Sequence, residues 1–381
     1  MTPTYKSGLV FDEHYLNHDT GAEAQVVLRD GTFELDPEAH PSSLLITRRI
    51  KQFLDRSGLS AQMQKIEARP ALEEELAVFH TPDYIAGVQA YAQGGPAQGD
   101  WGEFDDETRL SPGSFEAALY AAGGAIEAVD AVMQGRVRNS YALLRPPGHH
   151  ARRNQGLGFC VFNNMVVAAE HVRRRYGLER VMIVDWDVHH GNGTQEAFYG
   201  DPGVLFVSLH QEDWFPENSG LLEQVGFERG IGYTVNVPLP PGTGDRGYLA
   251  AFEQLVAPLG RLYQPQLLLV SAGQDASWLD PLAQMMVTMA GFRQLSEQIV
   301  RLADEVCEGR LVVLQEGGYS PAYVPYCTAA VVEGLLGCDL GIVDLYAGSS
   351  ELKRCQAVFS QETQQALARA RAWHRQWWKL P

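Results

Sequence analysis

The stretch Arg180 to Gly193, RVMIVDWDVHHGNG, concentrates the residue types that do chemistry in this chain. It opens with an apolar run, Val181 to Val184, of the β-branched kind that forms a strand buried on both faces. Asp185, Asp187 and His189 follow at a spacing of two, which puts their side chains on one side of an extended strand end. Two carboxylates and an imidazole converging there are costly to bury unless they share a cation or a proton. A metal ion is the economical way to meet that cost. Taken alone, the same residues also fit solvated loop acids and histidines that cap a helix or lie on the surface.

The other chemistry-bearing clusters follow apolar runs too. RPPGHH, Arg145 to His150, comes after Tyr141 to Leu144, and GLGFCVFNN, Gly156 to Asn164, comes next. Ser208, Leu209 and His210, then Trp214, Phe215 and Pro216, come after Val204 to Val207. SAGQDASWLDP, Ser271 to Pro281, follows Leu267 to Val270, and Gln315, Glu316, Gly317, Gly318 and Tyr319 follow Leu311 to Leu314. Several independent strand ends delivering acids, histidines, glycines and a tyrosine to one edge are hard to explain by packing alone.

The elements that must position these residues read as short apolar strands alternating with helices. A short strand is expected at Gly8 to Phe11, and an irregular connection from Asn17 to Pro41. A helix is expected from Leu44 to Ser57, stopped by Gly58, and another opened by Thr81, Pro82 and Asp83 and running to Ala92. Gly94 to Pro112 reads as a long loop and Ser114 to Met133 as a long helix of small residues. Further helices are expected at Asn163 to Tyr176, after Thr194, near Met289 to Val306 and at Gln361 to Lys379. This alternation predicts an α/β fold with a mostly parallel sheet covered on both faces, whose ligands collect at the carboxyl ends of the strands.

The 381 residues, 45% hydrophobic and 20% charged, suffice for a large core, and no linker or repeat divides them, so a single domain spanning 1–381 is expected. A net charge of -17 disfavours a sequence-independent grip on nucleic acid and favours cationic ligands. Cys160, Cys307, Cys327, Cys338 and Cys355 are scattered without CxxC spacing, the pattern of reduced thiols in a cytoplasmic protein. The first residues show no signal-peptide pattern and no segment reads as a membrane span, so no membrane association is expected.

Together, RPPGHH with GFCVFNN, DWDVHHGNGTQ, VSLH, SAGQDASWLDP and EGGY, in this order between about residues 141 and 319, resemble the histone deacetylase family. DWDVHHGNG and EGGY are similar to its class II branch and to the bacterial histone deacetylase-like amidohydrolases. The resemblance implies the arginase-deacetylase fold, with an eight-stranded parallel sheet, and hydrolysis of the amide of acetyl-lysine or a related acylated amine. Asp187, His189 and Asp280 match the family's zinc ligands, with ferrous iron as an alternative ion. Gly191 stands where arginases of this fold carry an acid for a second metal. His149 and His150 match the tandem catalytic histidines, facing Asp185 and Asn192, and Tyr319 matches the oxyanion-binding tyrosine. Gly158, Phe159 and Phe215 match the walls of the tunnel for the acyl-lysine stem, with Asp106 as the acid at its rim. Asp185, Asp187, His189, Ser208 and Leu209 correspond to an inner structural potassium site, and Phe198, Asp201, Val204 and Tyr233 to an outer one. An acetylpolyamine amidohydrolase and a catalytically weak acyl-lysine-binding protein are the alternatives.

The chain departs from the family at several places. Relatives often show HPExPxR near the amino terminus, whereas here His40 and Pro41 precede SSLLITRR, which leaves open whether Arg48 or Arg49 serves the inner cavity. Gln274 stands where many relatives have phenylalanine, and Trp278 is unusual beside the metal aspartate. Trp373, Trp377 and Trp378 read as packing or as contacts of a homo-oligomer.

Overall fold

The computed structural model describes residues 7–28, 31–348, 350, 353 and 359–381. Eight strands form one sheet: β1 Ser7–Val10, β2 Gln64–Ile66, β3 Asn139–Ala142, β4 Val181–Asp185, β5 Val204–Gln211, β6 Thr234–Leu239, β7 Leu267–Ala272 and β8 Leu311–Gln315. Their order is β6-β5-β4-β7-β8-β3-β1-β2, and every pairing is parallel. All residues of β1, β3, β4, β5, β7 and β8 are buried, so both faces of the sheet are covered.

The register shows how the sheet turns from core into site. Phe206, Ile183, Leu269 and Val312 lie side by side across β5, β4, β7 and β8, all essentially inaccessible to solvent. Each such side chain contributes roughly 1.5–3 kcal/mol by burial. Two residues further along, the row reads Ser208, Asp185 and Ser271, and the polar chemistry begins there on three strands at once. The chain leaves β4 for β5 on one side and later returns to β7 on the other, the kind of switch point at which such sheets open a crevice.

The helices begin and end on capping chemistry. Asn163 caps the helix Asn164–Tyr176 by accepting the Val166 N–H, and Gly177 closes it in the left-handed conformation. Thr288 caps Met289–Val306 in the same way, and Gly337 ends Val324–Leu336. Leu44–Arg56, Pro82–Ala92 and Ser114–Met133 lie where the sequence places them.

Four expectations change. The connection from Asn17 to Pro41 contains an antiparallel pair, Ala22–Leu28 with Gly31–Ala39, because a polar, glycine-bearing stretch can also pair with itself. The loop from Gly94 to Pro112 carries two short strands, Gln98–Gly99 and Gly102–Phe104, and the second pairs with Gln155–Gly156. The last helix is Gln361–His374, shorter than Gln361 to Lys379, and Trp378 beyond it donates its indole N–H to the Gly232 carbonyl. Finally, β2 and β6 carry no assignment in the sequence reading. The first is a three-residue edge strand and the second contains Pro238, which an edge tolerates.

Among the described residues no helix is long and apolar enough to cross a membrane. Cys160, Cys307 and Cys327 are buried free thiols, and Cys355 lies outside the described residues.

Candidate active site

Asp185 closes β4, and the chain then makes two aspartate-capped turns rather than continuing as a strand. The Asp187 N–H donates to Asp185 Oδ1 at 3.1 Å and the His189 N–H to Asp187 Oδ1 at 2.9 Å. His189 Nδ1 thereby comes within 3.1 Å of Asp187 Oδ1 and 3.2 Å of Asp275 Oδ2. The ligand atoms of Asp187, His189 and Asp275 all lie within 4.8 Å of one another, and all three residues are buried. Asp280, 8% exposed, stands outside that group: its oxygens accept the Leu282 N–H at 2.9 Å and the Tyr319 N–H at 2.7 Å. Asp275 has no role in the sequence reading, although it is an acid within a strand-end segment. Only the fold turns it toward His189.

His149 and His150 lie side by side with ring centroids 4.0 Å apart. His149 Nδ1 is 3.0 Å from Asp185 Oδ2, and His150 Nδ1 is 2.8 Å from Asn192 Oδ1, the two partners read from the sequence. Glu316, unassigned by the sequence reading, accepts the N–H groups of Gly148 at 2.7 Å and His149 at 3.1 Å through one oxygen, anchoring the loop that carries both histidines. His149, Cys160 and Glu316 form a second close group, whose thiol accepts the His150 N–H at 3.4 Å. A Cβ on Gly191 would sit 2.2 Å from Asp185 Oδ2, so an acid for a second metal has no room there.

Electrostatics separate the two histidines. Burial works against protonation of His149, but the charges of Asp187 and Asp185 outweigh it and push its pKa up to about 10. His150 is held well below the ordinary histidine value by burial and by the charges of His149 and His189. His189 is pushed up to about 10 because its bonds to Asp187 and Asp275 overcome burial. Burial raises Asp185 and Asp275 to about 6 and Glu316 to about 7, and lifts Asp280 well above its usual range. Burial also keeps the Tyr319 hydroxyl protonated, as a hydrogen-bond donor.

Two aromatic rings stand against the cluster. Phe215 stands edge-on to His150 with centroids 5.1 Å apart, and Phe159 stands edge-on to Tyr319 at 5.5 Å. Gly158 has φ +53, and a Cβ there would lie 2.5 Å from His150 Cδ2 and 2.8 Å from Phe215 Cε1. Its N–H donates to Asp105 Oδ2 at 3.0 Å and that of Phe159 to Thr108 Oγ1 at 2.9 Å. Asp105 therefore holds this loop, while its neighbour Asp106 is exposed.

Behind Tyr319 is a cavity of about 30 Å³ bordered by Ile46, Ile50, Arg145 and Glu316. Arg48 and Arg49 are exposed, and Arg49 Nε donates to the Pro321 carbonyl. Arg145 is the arginine bordering this cavity, and it reaches Ser42 Oγ at 3.1 Å, the Ser42 carbonyl at 2.7 Å and the His18 carbonyl at 3.1 Å.

Of the oxygen-rich positions, Ser208 is the register partner of Asp185 and shares a hydrogen bond with His210 Nδ1, and Leu209 is the next residue of β5. The carbonyls of Phe198, Asp201 and Tyr233 each accept one backbone N–H, from Asp201, Val204 and Phe206. The Asp201 carboxylate pairs with Arg173 at 2.7 Å.

Residues 40–335 match the family model of the histone deacetylase domain. The chain is 41% identical, over 96% of its length and 95% of the relative's, to a histone deacetylase-like amidohydrolase of Pseudomonas aeruginosa. It is 36% identical to a probable deacetylase of Archaeoglobus fulgidus, covering 88% of each chain. Over 76% of this chain and 44% of the relative it is 40% identical to the polyamine deacetylase HDAC10 of Homo sapiens. The crystal structure of the HDA15 HD domain superimposes with a TM-score of 0.83 at 32% identity, covering 99% of this chain and 96% of that one.

Proposed function

The chain belongs to the histone deacetylase family, and on that premise we propose that it is a metal-dependent deacetylase cleaving the amide of acetyl-lysine or a related acetylated amine. The observation that carries this reading is one buried cluster in which two tandem histidines, one paired with Asp185 and the other with Asn192, and a carboxylate–imidazole group meet beside Phe215, with Phe159 against Tyr319.

The donor set fits a divalent ion. Asp185, Asp187, Asp275 and Asp280 are buried around His149 and His189, and so many carboxylates away from water call for a cation. Oxygen and imidazole donors without thiolate suit zinc or ferrous iron, which Asp187, His189 and Asp280 would hold with Asp275 beside them. Such an ion supplies Lewis acidity toward the amide carbonyl and toward water. Oxygen-rich surroundings likewise support structural potassium at Asp185, Asp187, His189, Ser208 and Leu209, and at Phe198, Asp201, Val204 and Tyr233.

His150, neutral and hydrogen-bonded through Nδ1 to Asn192, takes the proton from the attacking water on its other nitrogen. Tyr319 donates its hydroxyl to the oxyanion developing on the carbonyl. His149, held as imidazolium beside Asp185, stabilises the accumulating negative charge and assists protonation of the leaving amine. Phe159 and Phe215 grip the aliphatic stem of the amine.

The likeness to a polyamine deacetylase favours a second reading, in which the amine is a small acetylated polyamine. A panel of acetyl-lysine peptides, acetylputrescine and acetylspermidine, assayed with metal-stripped protein reloaded with zinc or ferrous iron, separates the two. Turnover of peptides supports the first reading and turnover of polyamines alone the second. Background rates on every acetylated amine would leave a protein that only binds acyl-lysine.

A further inference from the structure

Gln274 is a part of the SAGQD segment that the proposed reaction leaves unused, and it lies in a sealed polar network. Gln274, Tyr141 and Thr328 are fully buried, and Gln315 is 5% exposed. The Tyr141 hydroxyl donates to Gln315 Oε1 at 2.5 Å, and Gln315 Nε2 donates to Gln274 Oε1 at 2.6 Å. Thr328 Oγ1 also donates to Gln274 Oε1, at 3.2 Å, and Gln274 Nε2 donates to the Ala272 carbonyl at 3.0 Å. A buried network with every member bonded is rigid, and losing one member strands its neighbours.

The network ends on the turn that carries Tyr319. The Gly317 carbonyl accepts from Gln315 Nε2 and from the Gln274 backbone N–H, both at 2.9 Å. The Gly317 N–H donates to Asp187 Oδ2 at 2.8 Å, and the Tyr319 N–H is held by Asp280. Between them Gly318 has φ +132, so two consecutive glycines, with the most backbone freedom of any residues, join the phenol to β8. Such a turn does not define its own shape, and outside clamps must do so.

We propose that the Gln274–Gln315 amide pair is a positioning device for Tyr319, fixing the Gly317 carbonyl so that the phenol hydroxyl reaches one defined point. The inference rests on the oxyanion role given to Tyr319 above. A displacement of about 1 Å in a reacting group costs on the order of a hundredfold in rate.

The test is a double-mutant cycle on the best acetylated substrate, combining Gln274→Met, which keeps the length but removes the amide, with Tyr319→Phe. Gln274→Met alone is expected to lower kcat by roughly 10- to 100-fold with KM within about threefold and zinc content unchanged. In the Tyr319→Phe background the same substitution should cost less than about threefold, because no hydroxyl remains to be misplaced. Equal losses in both backgrounds, or an unchanged kcat in Gln274→Met, would overturn the inference. Gln315→Met, which removes the side-chain clamp on Gly317, enters the same cycle if Gln274→Met does not fold. Full activity in Tyr319→Phe alone would instead remove the oxyanion role itself.

Discussion

Replacing Asn192 by aspartate exchanges a neutral acceptor for a charged one 2.8 Å from His150 Nδ1. Burial first, and then the charge of His149, holds His150 well below the ordinary histidine value, and Asn192 opposes this only through its hydrogen bond. A unit charge about 4 Å away is worth about 4 kcal/mol at an effective dielectric near 20. At 1.36 kcal/mol per pH unit that corresponds to about 3 units. Residue 192 is half-buried, so desolvation of the new carboxylate takes back part of this, and a net rise of about 1–3 units is expected. The base works neutral, so activity is lost as pH falls through its pKa, and raising that pKa moves the acid limb upward. The assay is kcat/KM from pH 5 to 9 for both proteins. The native profile should stay flat well below neutrality, while Asn192→Asp declines at a higher pH and converges with it in alkali. An acid limb that stays in place would mean that His150 is not the base.

Other substitutions probe the remaining parts. Tyr319→Phe should lower kcat by about 10²–10³ with metal content unchanged, measured by steady-state kinetics and elemental analysis. Gly158→Ala forces a Cβ to 2.5 Å from His150 at φ +53; it should lower kcat/KM at least about tenfold and cost about 1–3 kcal/mol in denaturant unfolding. Zinc titrations of Asp280→Asn and Asp275→Asn test the donor set. Loss of a ligand should weaken zinc binding beyond the roughly 10–100-fold expected for a supporting acid, so Asp280→Asn should suffer more. The opposite order would make Asp275 the ligand.

Much of this site was legible before any fold was known. The apolar runs of β4, β5, β7 and β8 announce themselves because parallel strands buried on both faces need unbroken apolar sequence, and each is followed directly by its acids, histidines or glycines. The family resemblance also implies that His149 faces Asp185 and His150 faces Asn192, and the two pairs are found. The edge strands β2 and β6 escape notice because they are short or proline-bearing and carry no chemistry.

What only the tertiary structure decides are contacts between segments far apart in the chain, whose partners leave no local pattern. Asp275 turns toward His189, Glu316 ties down the histidine loop, and Asp105 holds the Gly158 backbone. Arg145 borders the small cavity beside Tyr319, and Gln274 finds Gln315 from the loop beyond the neighbouring strand. Residue types along one chain determine which chemistry is available. How buried each group is, and which charge lies beside it, follows from the packing of β3, β4, β7 and β8 side by side, and that packing makes one histidine a cation and its neighbour a base.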